Sequence, residues 1–371
     1  MRQAIYQIDV DGLDISTKLN PILISLTVTL TDGGQADSLD VELDDTGGQI
    51  ELPRVGAHVT ASLGWSDSGA APVFEGVTDE PKSAGRHHFD RHGGHDDVAE
   101  AGSVGNVQSS GGRSKGRILT LSAKSADMGG KLKQQQQAHK DHASFGDVAK
   151  EWGRKAGVDV AVAGALAAVQ RPYWSIANES FMAWGTRISR ELGACFKIIG
   201  GHAIFLPLAG GTSASGQMLE GISATWGTNL IDWSITPVQS RPSFSKLGAR
   251  HYDPKAATWN LEKVDGPQSA ADAGGAEHTA RFKAASQDIA KWLAAANAAQ
   301  STREKGAGDT VLIDGEPAAQ PEAPCAVSGI RPGVDGGYTI AKVRHTLTRS
   351  GGCTTQLGLK QPSGGAGTDS R

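Results

Sequence analysis

The residues best equipped for chemistry are four histidines, His87, His88, His92 and His95, interleaved with the carboxylates of Asp90, Asp96 and Asp97. Imidazole and carboxylate are zinc ligands, and His88 and His92 would share one face if their segment formed a helix. Together with His95 they are the metal-ligand candidates of the chain, and a metal-dependent hydrolase is the activity they would support. Gly93-Gly94 and the polar surroundings argue the other way, because they leave the ligands without neighbours to orient them. The stretch 85–116 is rich in Gly, Ser, His and charge and almost empty of large apolar side chains, so it cannot bury enough surface to offset its chain entropy. It is expected to be a flexible insertion that binds metal only adventitiously. No metal, cofactor or catalytic residue is assigned.

Other reaction signatures are missing from the sequence. Gly129-Gly130-Lys131 lacks the upstream Gly and the following Ser or Thr of a phosphate-binding loop, and Gly211 to Ser215 lacks the second Gly of a nucleophile elbow. There is no HExxH, dinucleotide fingerprint or EF-hand loop. Asp44-Asp45 and Asp96-Asp97 are carboxylate pairs, but acid–base catalysis needs surroundings that shift a pKa, and these read as solvated turns. His139 and His142, beside the Gln134 to Gln137 run, read as surface residues of a helix. Cys195, Cys325 and Cys353 are odd in number and widely spaced, which favours free thiols over a disulfide framework.

The composition narrows the classes. The chain has 371 residues with a formal net charge of −4, which argues against the basic face that nucleic-acid binding requires. It has no apolar run of about 18 residues, and Met1 to Val10 alternates polar and apolar, so neither a membrane crossing nor Sec-type export is expected. Its 49 glycines predict many tight turns.

The elements follow from periodicity. Ala4, Tyr6, Ile8 and Val10 alternate with polar residues, as do Leu26–Leu30, Leu39–Leu43, Val59–Trp65 and, beyond the insertion, Leu119–Ala123. A period of two with one apolar face predicts an antiparallel β-barrel domain over 1–130, interrupted by the 85–116 insertion. From 131 to 215 the spacing changes. Phe145, Val148, Ala149 and Trp152 predict a helix with Ser144 as its cap, and Phe181, Trp184, Ile188 and Leu192 predict a second between Asn178 and Gly193. Apolar runs around Gly200-Gly201 predict a hairpin, completing a small α/β domain. Residues 216–362 read as a second β-barrel domain containing a helix at about 281–303, and 363–371 as a disordered tail. Trp152, Trp184 and Trp292 are expected in cores, while Trp65, Trp226 and Trp233 suit either core or interface. A sugar-binding module is an alternative that finds no further support. The fold class is therefore α+β, mainly β.

In this order the motifs resemble the phage late control protein D family. Asp14-Ile15-Ser16, Leu23 to Thr29 and Gln35 to Asp45 look like its opening, and Leu52-Pro53-Arg54-Val55-Gly56 through Leu63-Gly64 like the next block. Phe145 to Val158, Ser180 to Ala194 with Gly200-Gly201, and Asp335-Gly336-Gly337-Tyr338 through His345 to Gly351-Gly352-Cys353 and Leu357 continue the likeness. It covers most of 4–360 and leaves out the insertion. The resemblance implies a baseplate hub of a contractile tail, similar to the hub half of type VI secretion spike proteins. It implies a homotrimer whose paired barrels form a pseudo-sixfold ring joining a hexameric tail tube to a trimeric central spike. The implied partners are the tail tube protein, the spike, other baseplate wedge proteins and the tape measure protein; the implied location is the virion tail, after assembly in the host cytoplasm. A hub of a tailocin or other phage-derived injection system fits the same residues.

Overall fold

The computed structural model describes residues 2–33, 35–86, 116–126, 130–207, 211, 217–237, 244–266, 275–281, 283–350 and 352–367. The chain opens with β1 (Ala4–Val10), β2 (Leu13–Asp14), a helical turn α1 (Ser16–Leu19), β3 (Leu23–Thr31), β4 (Ser38–Asp44), β5 (His58–Trp65), β6 (Gly69–Thr78), β7 (Lys82–Arg86) and β8 (Gly116–Lys124). Next come β9 (Gln135–Ser144), α2 (Phe145–Lys155), β10 (Asp159–Val162), α3 (Gly164–Ala167), β11 (Gln170–Ser180), α4 (Phe181–Leu192), β12 (Ala194–Ile199) and β13 (His202–Pro207). The remainder comprises β14 (Ile222–Thr225), β15 (Leu230–Ser234), β16 (Lys246–Asp253), β17 (Thr258–Asp265), β18 (Glu277–Thr279), α5 (Gln287–Arg303), β19 (Asp309–Asp314), β20 (Pro324–Ser328), β21 (Gly336–Thr348) and β22 (Gly352–Ser363). The molecule is mainly β, with several sheets and one long helix, as its periodicity predicts.

Strands of both β regions share one hydrogen-bonded sheet, ordered β15-β19-β22-β21-β3-β4-β8-β6-β5-β1-β2, while β17-β16-β18 form a separate three-stranded sheet. The link is β21. One edge of this strand pairs along β22, while the other pairs with β20 through Pro324–Val327 and then with β3 from Lys342↔Thr31 to Thr348↔Ser25. The chain's first and last β segments are thus joined by one ladder, and alternate residues on each side fill two cores. Leu26, Val28, Leu39, Leu43, Leu63 and Leu119 form the first; Ile313, Ile340, Val343, Leu357 and Leu359 form the second. Cys353 lies in the first and Cys325 in the second, and all three cysteines are free.

The α/β unit has its own core of stacked aromatics. Phe145, Trp152, Trp174, Phe181, Trp184, Phe196 and Phe205 are buried together, with Phe196 and Phe205 stacked 4.6 Å apart and Trp152 edge-on to Trp184 at 5.0 Å. Ser144 caps α2 by accepting from Asp147 N, as the sequence predicts. Gly193 ends α4 in the left-handed region at φ 63°. The α4 cap is Ser180, not a residue at Asn178. Asn178 has φ 53° and sits where the β9–β11 register shifts, so it belongs to a bulge. Gly200 and Gly201, at φ 54° and 80°, form the expected two-residue hairpin turn between β12 and β13.

Three expectations change. His139 and His142 lie on strand β9 rather than a helix, because β9 pairs along its length with β11 and His139 stacks on Tyr173. The long helix begins at Gln287 instead of about 281. Ala280 and Ala284 donate their N–H groups to Gly248 and Arg250 of β16, which commits these two residues to β16 rather than to a helical turn, and Ser286 then caps the helix. The tail is ordered through Gly367: Gly367 N donates to Gly333 O, and Ala366 is buried in the second β core. No helix among the described residues is long and apolar enough to cross a membrane.

Candidate functional site

His87, His88, His92 and His95 lie outside the described residues, as do Asp90, Asp96 and Asp97 and most of 85–116. What is described is the point of insertion: β7 and β8 pair to their last residues, Arg86 opposite Gly116, so the chain departs and returns at neighbouring positions. Among the described residues, no group of three His, Cys, Asp or Glu could hold a metal ion. Asp44 and Asp45 serve backbone turns. Asp44 accepts from the Thr46 hydroxyl and N–H, which hold its carboxyl below the ordinary range, and Asp45 accepts from Ile50 N.

The structure instead gathers charge where its units meet. Asp32 just after β3, Arg303 at the end of α5, Glu322 before β20 and Lys360 on β22 form a quartet whose two cations are buried. Arg303 donates to both carboxylate oxygens of Glu322, at 3.0 and 2.8 Å, and to Asp32 Oδ2 at 3.3 Å. Lys360 Nζ lies 2.5 Å from both Asp32 Oδ2 and Glu322 Oε1. The side chains of Arg303 and Lys360 are 6% and 4% exposed, so these two buried cations depend on the carboxylates of Glu322 and the part-exposed Asp32. Burial would raise the Glu322 carboxyl, but hydrogen bonds and charge from Arg303 and Lys360 outweigh it and hold the group below its usual value.

A second pair lies alongside. Lys197 of β12 bonds Asp37 at 2.8 Å and the carbonyl of Thr31, while Asp37 accepts from Thr31 N and its own N–H bonds Ser125 Oγ. Between the two groups, Cys195 Sγ donates to Asp32 O at 2.6 Å. Burial and the carboxylates of Glu322 and Asp32 push its thiol up to about 11, so it stays protonated at neutral pH and is no nucleophile. Cavities of about 390 and 590 Å3 flank this junction. The arrangement ties the end of β3, β12, the end of α5, the segment before β20 and β22 together and offers no activated group. No sequence motif marks it, since Asp32 lies 271 residues from Arg303 and 328 from Lys360.

A third feature is the surface. The sheet path ends at β15 on one side and β2 on the other. Near β15, Trp226 packs edge-on against Trp233 at 4.8 Å, and Trp226 and Ile231 are exposed. Near β2, Leu13, Leu52 and Val55 are exposed. Large apolar side chains left in water beside the ends of a sheet are features of an assembling protein more than of an isolated one. Trp65 instead spans the two β regions by donating to Gly315 O, and Trp292 is half-buried beside Arg171 rather than sealed in a core.

No family model matches the chain. Two curated relatives, each described as "Probable baseplate hub protein", are 25% identical to it; that of Escherichia phage 186 aligns over 96% of this chain and 92% of its own length, and that of Escherichia phage P2 does the same. Among solved structures, the 43 kDa tail protein of prophage MuSo2 from Shewanella oneidensis superimposes with a TM-score of 0.64 at 12% identity, covering 95% of this chain and 97% of that one. A tail protein from Neisseria meningitidis MC58 gives 0.62 at 16% identity, with 96% of both chains covered. The VgrG-containing Francisella PdpA-VgrG complex gives 0.53 at 8% identity, over 100% of this chain and 60% of that one. The fold is therefore that of phage tail proteins, shared with the VgrG-containing complex. The resemblance to baseplate hub proteins drawn from the sequence motifs is borne out by relatives spanning nearly the whole chain.

Proposed function

We propose that this chain is the hub protein of a phage tail baseplate. The observation that carries the reading is end-to-end correspondence: the match to the two phage hub proteins spans 96% of this chain and 92% of each relative. On this reading the chain is structural and not an enzyme, and it resides in the virion tail after assembly in the host cytoplasm. Three copies form a ring in which each contributes two β units, giving a pseudo-sixfold surface for the tail tube and a threefold one for the central spike. Wedge and tape measure proteins are the remaining partners. The two sheet ends and their exposed apolar side chains support this assembly, since a heterologous contact repeated around a closed ring would cover both.

Light scattering on the purified chain, alone and mixed with the spike and tube proteins encoded beside it, tests the proposal. The expected mass is three times the 38.5 kDa of one chain, either alone or on mixing with the spike. A persistent monomer that binds neither protein would overturn it.

A further inference from the structure

A cleft of about 1270 Å3 opens between α4 on one side and β18, the residues around Ala284 and α5 on the other. Its lining is strongly cationic. Lys133, Arg171, Arg187, Arg190, Arg281 and Lys283 reach it together with His278, and Glu191 is the one carboxylate among its described lining residues. This excess is opposite in sign to the net charge of −4 on the whole chain.

Some of these cations are already committed. Arg171 Nη1 bonds Glu191 at 2.8 Å, Arg187 bonds Glu179 and Glu191, and Lys283 lies 4.3 Å from the centre of the Trp259 ring. Lys133, Arg190 and Arg281 pair with no carboxylate among the described residues. The wall behind them holds a further cation short of acceptors. The Arg171 side chain is 5% exposed and is held against Trp174 at 4.5 Å and Trp292 at 5.6 Å, and its Nε and Nη2 find no hydrogen-bond acceptor. A buried guanidinium with open donors, faced by three uncommitted cations, favours negative charge in the cleft.

The same cleft has apolar surface at Met182, Ile289 and Leu293. It is too large for one small anion, and its mixture of guanidinium and aliphatic groups suits a chain carrying both carboxylates and apolar side chains. A nucleic acid would gain little from Met, Ile and Leu and would meet an acidic molecule outside the cleft. We propose that this cleft binds an acidic segment of a partner polypeptide, with carboxylates on Arg190, Arg281 and Lys133 and apolar side chains on Met182, Ile289 and Leu293.

The test is fluorescence anisotropy on the full chain, with a fluorescein-labelled decapeptide of alternating Glu and Leu. The expected result is saturable binding that weakens at least about tenfold when every Glu is replaced by Gln. Combining Arg190→Ala with Arg281→Ala should weaken it by about tenfold as well. Lys18→Ala with Lys255→Ala, which removes the same charge elsewhere on the surface, should leave it unchanged. Should the alanine pair lower the melting temperature, Arg190→Gln with Arg281→Gln removes charge with less change of shape. Failure of the Glu peptide to bind, equal binding of the Gln peptide, full binding by the arginine variants, or tighter binding of a ten-nucleotide oligothymidine would each overturn the proposal.

Discussion

His345 is fully buried on β21, opposite Val28 of β3 and Thr355 of β22, with its Nδ1 3.0 Å from the Thr355 hydroxyl and its Nε2 unpartnered. Burial lowers its pKa from the ordinary 6.5 to about 4. Between those values the unfolded chain binds a proton that the fold excludes. Stability is therefore full above about pH 6.5 and falls with pH down to about 4, by on the order of 3 kcal/mol from this group. Urea midpoints measured across this range should show the slope, and His345→Leu should flatten it; an unchanged slope in the variant would assign the effect elsewhere. At the charge junction, Glu322→Gln leaves Arg303 and Lys360 sharing only Asp32 and should cost about 3 kcal/mol. Adding Lys360→Met restores the balance, so the double variant should cost less than the two single losses combined. Additive costs in denaturant titration would show that the quartet does not act as a unit.

Element positions depend on where backbones approach closely. Gly185 presses α4 onto β12: a Cβ there would stand 2.6 Å from the Phe196 ring, which is itself stacked on Phe205. The same ring also meets Phe181 edge-on, so displacing it disturbs the aromatic core. Gly185→Ala should therefore cost about 1–3 kcal/mol by chemical denaturation, and an unchanged midpoint would mean that α4 can lift from the sheet. The sequence marked α4 by its apolar spacing and its terminal Gly193, but placed its start by Asn178. Ser180 and Asn178 are both acceptable cap types, and only the β9–β11 pairing decides that Asn178 belongs to a bulge. The start of α5 was misplaced for the same reason. Nothing in the types of Arg281 to Ala285 forbids a helix, yet β16 supplies the acceptors for the N–H groups of Ala280 and Ala284.

For the whole molecule, the continuous ladder through β3 and β21 predicts that the two β regions melt together. Calorimetry should show one transition for both; two well-separated transitions would mean that the β3–β21 pairing adds little cooperativity. The insertion makes the opposite prediction. Because Arg86 faces Gly116 in the β7–β8 pair, replacing 87–115 with an Asn-Gly turn should preserve both the melting temperature and the oligomeric mass. Loss of assembly on that replacement would show the insertion to be part of an interface.

Taken alone, the sequence determined what local periodicity and turn chemistry control: the alternating strands, the apolar faces of α2 and α4, the Gly200-Gly201 hairpin, and a motif order spread widely enough to reveal a resemblance to baseplate hubs. These signals are legible because each is carried by residues a few positions apart. Tertiary structure alone decided the sharing of β21 between the two β regions, the burial of His345, the gathering of Asp32, Arg303, Glu322 and Lys360, and the cationic cleft between α4 and α5. Each of these depends on residues brought together from distant parts of the chain. Before folding, an Asp or Lys at such a position is indistinguishable from one at a solvated turn; it becomes part of a site only when packing removes the water around it.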